Sequence, residues 1–124
     1  MTPEALWQRY SAIWSLPDDG ARRIELSACL ADDATYCDPN GLIESHAALS
    51  EYMAGFQKSV PPGAKFHLSS LLLHHDRTLV HWALLGPDGG ILQRGTSFGA
   101  LSPDGRLHAI TGFFHPADAE PAAA

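Results

Sequence analysis

The apolar residues in the first part of the chain recur at helical spacing. One apolar stripe consists of Leu6, Tyr10, Ile13 and Trp14. The sequence Thr-Pro-Glu, which is typical of a helix start, precedes this stripe. This pattern predicts a helix over residues 3–15. After a Pro-Asp-Asp-Gly break that offers a carboxylate cap, it predicts a second helix to about residue 31. The expected apolar positions of that helix are Ile24, Leu26, Cys29 and Leu30.

A short strand and a third helix are expected next. Residues 35–39 alternate as a strand does, and period two puts Tyr36 and Asp38 on one face. Ser45 is the expected cap of the third helix, which ends before the Pro-Pro-Gly turn at 61–63. The apolar stripe of this helix consists of Leu49, Tyr52, Met53 and Phe56.

The remaining chain has strand-like segments separated by turn residues. Four strands are expected over about residues 65–75, 78–86, 91–102 and 106–115, and their even spacing predicts an antiparallel meander. Helices that precede such a sheet define an α+β architecture. Three helices cover a curved sheet, and the open end of the resulting cone leaves a cavity. One domain is predicted over 1–116, followed by a flexible tail over 117–124.

Composition and charge exclude several classes of protein. The 124 residues suffice for one core, and 45% hydrophobic with 18% charged residues is typical of a globular chain, not of a disordered or membrane-spanning one. The net charge is −6 and no segment concentrates basic residues, which argues against nucleic-acid binding. The N-terminal residues show neither a secretory nor a transit signal, so a cytoplasmic protein is expected.

Neither the cysteines nor the histidines predict a special site. Cys29 and Cys37 are expected to be small buried hydrophobes, not a disulfide. His74 and His75 are adjacent and therefore point to opposite faces of a strand, and the other histidines show no short ligand spacing. No metal and no cofactor is expected.

Asp38 is the strongest candidate for chemistry. Its carboxylate should be partly desolvated beneath the helices, beside Tyr36 and before Pro39, and desolvation suits an acid to base catalysis. The alternative is that Asp38 only accepts backbone hydrogen bonds in its Asp-Pro-Asn-Gly turn. Tyr10 and Trp14 lie one helical turn apart and present a phenol and an indole to one volume, which also fits an ordinary aromatic core.

Two stretches resemble the SnoaL-like branch of the nuclear-transport-factor-two-like superfamily, which includes ketosteroid isomerases, polyketide cyclases and limonene epoxide hydrolases. Residues 30–41, LADDATYCDPNG, look like the end of helix two running into the isomerase strand that carries the catalytic acid. Gln8-Arg9-Tyr10 lies where the isomerases place their oxyanion-hole tyrosine. The resemblance implies a cystatin-like α+β roll with a mixed, mainly antiparallel sheet. It also implies a homodimer that pairs through the outer sheet face.

The resemblance assigns roles to single residues. Asp38 takes the general-base position and Tyr10 the hydrogen-bond donor position, while Tyr52 corresponds to an aromatic that lines the isomerase pocket. The third catalytic group of the isomerases, an aspartate, falls on Thr96, whose hydroxyl is a poorer donor. The same alignment and strand parity place further ligand-binding residues inside the cavity, namely Arg94, Thr96, Phe98, Thr111 and Phe113.

The sequence pattern itself adds two ligand-binding candidates, Trp82 and Trp14. Trp82 lies between Val80 and Leu84 at period two, so this apolar row is expected to face inward together with Trp14. Arg94 inside a cone would need an anionic partner, either Asp38 or a ligand.

The predicted function is binding of a small hydrophobic cyclic molecule, with the isomerase or cyclase chemistry that the resemblance implies. Asp38 would act as acid or base next to a carbonyl. A non-catalytic ligand-binding or accessory dimerisation domain is the alternative, because one fold serves many functions. Epoxide hydrolase-like chemistry ranks third, since no Asp-Arg-Asp relay is recognisable.

Overall fold

Three helices and six strands make up the computed structural model, which describes residues 1–116. The helices are α1 (Pro3–Ile13), α2 (Asp19–Cys29) and α3 (His46–Ser59). The strands are β1 (Leu30–Asp38), β2 (Gly41–Ile43), β3 (Lys65–His74), β4 (Arg77–Leu85), β5 (Ile91–Leu101) and β6 (Leu107–Phe114). The tail predicted over 117–124 lies outside the described residues. None of the helices in the described part is long and apolar enough to cross a membrane.

Each helix begins at a side-chain cap that the sequence indicates. Thr2, Asp18 and Ser45 each accept a hydrogen bond from the backbone N–H three residues further along, at 3.1, 2.8 and 3.1 Å. Such bonds satisfy N–H groups that have no partner inside the helix, which fixes where the helix starts.

Helix α2 differs from its prediction in length and in the face it buries. It ends at Cys29, and Leu30 is already extended and begins β1. Ile24 is 70% exposed, so its predicted apolar position is wrong. The buried residue on this turn is Arg22, whose guanidinium donates to Ser50 Oγ at 2.9 Å. A buried hydrogen-bonded arginine therefore takes the place that the apolar pattern gives to Ile24.

The strands form one open mixed sheet in the order β2-β1-β6-β5-β4-β3. Strands β3 to β6 make the predicted antiparallel meander, and β1 joins β6 in parallel. The three-residue β2, which the sequence pattern does not predict, pairs antiparallel with β1. Because the sheet stays open beneath three helices, the predicted α+β half-barrel is confirmed.

Glycines on β5 let large rings lie against the inner face of the sheet. A Cβ built at Gly95 would lie 2.0 Å from Cζ2 of Trp82, and one at Gly99 would lie 2.5 Å from Cζ2 of Trp7. The Trp7 indole N–H donates to Thr78 Oγ1 at 2.8 Å, and that hydroxyl donates to the Gly99 carbonyl at 2.6 Å. Helix α1 is thereby fixed over the middle of the sheet.

The surroundings of Gly95 and Gly55 predict opposite effects on stability for substitution of each by alanine. Gly95→Ala should lower the free energy of unfolding by about 1–3 kcal/mol, because the Trp82 ring must move. Gly55→Ala on α3, where no atom lies within 4 Å of the new Cβ, should raise it by about 0.5–1 kcal/mol. Urea unfolding followed by tryptophan fluorescence measures both. A Gly95→Ala variant as stable as the parent would contradict this packing.

Candidate functional site

A cavity of about 720 Å³ lies between α1, α3 and the inner face of the sheet. Nine aromatic residues line it, among them Trp14, Tyr36, Tyr52, Phe56, Phe66 and Trp82. The Trp14 ring contacts four of the others, with ring centroids 5.3–6.1 Å apart. A cavity of this size and apolarity suits a small organic ligand held by few polar groups.

Asp38 is the buried charged group of this cavity. It is 9% exposed and accepts three hydrogen bonds. Oδ1 accepts from the Tyr52 hydroxyl at 2.7 Å and from the Asn40 backbone N–H at 2.8 Å, and Oδ2 accepts from the Tyr36 hydroxyl at 2.6 Å. A carboxylate oxygen has about two acceptor positions. Oδ1 is therefore fully used, while Oδ2 keeps one position for a ligand or a proton.

Local sequence explains most of this arrangement. Period two along β1 puts Tyr36 and Asp38 on one face, as predicted, and Pro39 ends the strand so that the N–H of Asn40 turns back to the carboxylate. Tyr52 comes from α3, one turn along from Ala48 at the start of the helix. Asp38 thus makes the turn-type backbone bond of the alternative interpretation and also faces the cavity.

The two tyrosines that hold Asp38 remain hydrogen-bond donors. Burial is the main cause that raises the pKa of Tyr36, and burial together with the hydrogen bond to Asp38 raises the pKa of Tyr52. Both phenols therefore stay protonated well beyond neutral pH. They stabilise a negative charge on Asp38 without carrying a positive charge of their own.

Tyr10 also reaches the cavity, and its hydroxyl is free. The residue is 4% exposed, and its oxygen has no hydrogen-bond partner within residues 1–116. Burial raises the pKa of Tyr10, an effect that the neighbouring Trp14 indole only partly offsets. A buried donor without a partner is costly, and a ligand oxygen that reached this hydroxyl would satisfy it.

Three of the predicted ligand-binding residues lie at the cavity together with Asp38 and Tyr10. They are Trp14, Tyr52 and Trp82. The Trp82 indole N–H donates to Ser97 Oγ at 3.0 Å across the neighbouring strand. The structure therefore brings these five side chains to one cavity, and their roles in binding and catalysis remain predictions.

The predicted inward placement of five other residues is wrong. Arg94, Thr96, Phe98, Thr111 and Phe113 do not line the cavity. In the antiparallel sheet Trp82 lies opposite Gly95, and Thr96 lies opposite His81 and Phe113, so the parity of β5 and β6 is shifted by one residue. On this outer face the Thr96 hydroxyl lies 2.9 Å from His81 Nδ1 and 2.9 Å from His115 Nε2.

The corrected parity brings other residues of β5 and β6 to the cavity, namely Gln93, Ser97, Gly112 and Phe114. Ser97, not Thr96, is the hydroxyl residue of β5 that faces the ligand space. A signal for this was present in the sequence. Gly95, Ser97 and Gly99 form a row of small residues at period two, which is what a sheet needs where it lies opposite Trp82 and beneath Trp7.

Among the lining residues of the described part of the chain, none is a cationic partner for Asp38. Arg94 lies on the outer face, so it neither pairs with the carboxylate nor supports an epoxide hydrolase-like relay. Within residues 1–116 no group of three or more His, Cys, Asp and Glu side chains is placed to hold a metal ion. Cys29 and Cys37 are both free thiols, and burial raises the pKa of Cys29 to about 11.

Several solved structures have the same fold. A proposed isomerase of the SnoaL-like family from Agrobacterium tumefaciens str. C58 is 26% identical with a TM-score of 0.83, over 91% of this chain and 97% of that chain. A proposed SnoaL-like polyketide cyclase from Jannaschia sp. CCS1 is 15% identical with a TM-score of 0.70, over 92% and 89% of the two chains.

A third structure has a ketosteroid isomerase-like fold and comes from Catenulispora acidiphila DSM 44928. It was solved in complex with trimethylamine and is 14% identical with a TM-score of 0.72, over 98% of this chain and 100% of that chain. No protein-family model and no curated protein matches the chain significantly. The chain therefore has the fold of the SnoaL-like and NTF2-like proteins, and the resemblance seen in its sequence is confirmed at the level of the fold.

Proposed function

We propose that the chain binds a small, largely apolar cyclic molecule in this cavity and catalyses proton transfer next to a carbonyl of that molecule, as an isomerase or cyclase does. One observation carries the proposal. The buried carboxylate of Asp38 lies at the wall of an aromatic cavity of ligand size, with an acceptor position open on Oδ2.

Each polar group has a part in such a reaction. Oδ2 of Asp38 removes a proton from the carbon beside the carbonyl, and the electron pair of that C–H bond moves to form an enolate. The unpartnered hydroxyl of Tyr10 donates to the carbonyl oxygen as its negative charge grows. Tyr36 and Tyr52 hold the carboxylate in place. Where the substrate has a C=C bond conjugated with this enolate, the proton returns to the far carbon of that bond and the double bond moves, which completes an isomerisation.

Asp38→Asn should abolish this proton transfer and preserve the fold. Asparagine keeps the shape of the side chain and removes the base, so a loss of about 100-fold or more is expected. The readout is deuterium exchange next to the carbonyl of 2-decalone in D₂O, followed by NMR. Thr111→Val is the matched control, because it is also isosteric and changes a residue outside the cavity. An unchanged exchange rate in Asp38→Asn removes Asp38 from the mechanism.

Tyr10→Phe should separate stability from activity. Removing a buried hydroxyl that has no partner should raise the free energy of unfolding by about 1 kcal/mol and slow the exchange reaction. Tyr52→Phe should instead lower the stability, because Asp38 Oδ1 loses a donor. Chemical unfolding and the exchange assay measure the two effects. A Tyr10→Phe variant that loses stability would show that the hydroxyl has a structural partner.

A non-catalytic ligand-binding domain is the second candidate, and one observation favours it. Both acceptor positions of Asp38 Oδ1 are occupied within the protein, by the Asn40 N–H and the Tyr52 hydroxyl. A carboxylate held in this way can bind a polar group of a ligand through Oδ2 without taking a proton from it. In that case ligands would bind without any acceleration of exchange in the parent protein.

We also propose that two copies pair through the outer face of the sheet. Phe113 and Leu72 lie on this face, and each is 60% exposed. Light scattering should give a mass twice the 13.3 kDa of one chain. Phe113→Asp should reduce it to one chain, whereas Ile24→Asp on α2, at a residue that is 70% exposed, should not. A parent protein that is monomeric at all concentrations would contradict the pairing.

A further inference from the structure

We propose that the ligand of this cavity carries a positively charged amine nitrogen. The inference rests on the proposed binding of a small cyclic molecule and is independent of the proton-transfer step. It starts from the charges of the cavity wall, which are of one sign.

The charged residues that line the cavity are Asp38 and Glu51, and both are acidic. No lysine, arginine or histidine of the described residues lines it. Glu51 is exposed and also lines the cavity, so this side chain borders both the cavity and solvent. Two carboxylates with no opposing cation create a negative potential, which low-dielectric walls concentrate inside a cleft. Anionic ligands are therefore repelled and cationic ones attracted.

Within residues 1–116, Asp38 has no counter-charge although it is buried. Its three partners are two phenols and one backbone amide, which donate hydrogen bonds and add no charge. Buried charges in proteins are normally paired with an opposite charge, because hydrogen bonds recover only part of the lost hydration. A ligand cation beside Oδ2 would supply the missing charge, and no side chain of residues 1–116 does so.

The aromatic wall fits the same ligand. Ammonium groups are attracted to the electron-rich faces of aromatic rings, most strongly to tryptophan, and cages of such rings recognise alkylated amines. Trp14 and Trp82 both line the cavity, and Phe66 lies between them with ring centroids 6.1 and 5.2 Å away. Rings and carboxylates around one space form a receptor for a cation with an apolar body. A neutral hydrocarbon ligand would leave the charge of Asp38 unbalanced.

Two probes of equal shape and different charge test the proposal. The first is (3-hydroxyphenyl)trimethylammonium, and the second is its uncharged carbon isostere 3-tert-butylphenol. A quaternary nitrogen donates no hydrogen bonds, so the comparison isolates charge. Titrations of the parent protein, followed by calorimetry and tryptophan fluorescence, should show the cation binding at least about tenfold more tightly.

Variants connect this preference to the cavity. Asp38→Asn should reduce the cation's advantage over the isostere, and Glu51→Gln, at an exposed position that tolerates substitution, should reduce it less. Glu44→Gln removes one negative charge at an exposed residue outside the cavity, so it controls for net charge and should change nothing.

The outcomes separate this inference from the proposed function. The anion 3-hydroxybenzoate serves as a third probe. If the isostere binds as tightly as the cation, or if this anion binds best, the ligand is not a cation while binding of small rings stands. If none of the three probes binds in the cavity, both the inference and the proposed binding function fail. A preference for the cation that survives in both Asp38→Asn and Glu51→Gln also overturns the assignment.

Discussion

The hydrogen-bonded carboxylate of Asp38 is the constraint on which the site depends. Moving a charged group out of water costs several kcal/mol unless other groups replace the water. Here the replacement comes from three parts of the chain, namely Tyr36 on β1, the turn residue Asn40 and Tyr52 on α3. These bonds join β1 and the turn that follows it to helix α3. The fold and the chemistry of the site therefore share the same contacts.

The cavity itself depends on small residues. Larger side chains at Gly95 and Gly99 would displace Trp82 and Trp7, so the inward positions of β5 require small residues. Gly112 on β6 is a further small residue on the inner face, next to the site. A Cβ there would lie 3.7 Å from Cβ of Asp38 and 3.4 Å from Ser97 Oγ. Rings on one side and glycines on the other keep the space beside the carboxylate open for a ligand.

Local sequence patterns predict those parts of the structure that depend on residues close together in the chain. The helix caps, the meander and the shared face of Tyr36 and Asp38 all follow from neighbouring positions. The contact of Tyr52 with Asp38 joins residues 14 positions apart through a helix packing on a strand, so no local pattern contains it. The buried Arg22 is similar, because its partner Ser50 comes from α3.

The wrong inward placement of Arg94, Thr96 and Phe98 on β5 has a different origin. Strand parity has only two settings, and an alignment that is off by one residue reverses every side chain. The resemblance to the isomerases places Thr96 inward, whereas the inward Trp82 ring on the neighbouring strand requires a small residue opposite it. Antiparallel pairing of Trp82 with Gly95 settles the parity. Packing within the chain was thus a better guide to the cavity than a catalytic position carried over from other proteins.

A crystal structure of the chain with (3-hydroxyphenyl)trimethylammonium tests most directly whether the cavity binds a cation beside Asp38. We predict electron density for the ligand between the aromatic wall and Asp38, with its ammonium group beside Asp38 Oδ2. Density only on the outer face of the sheet, or a cavity filled by its own aromatic rings, would contradict it.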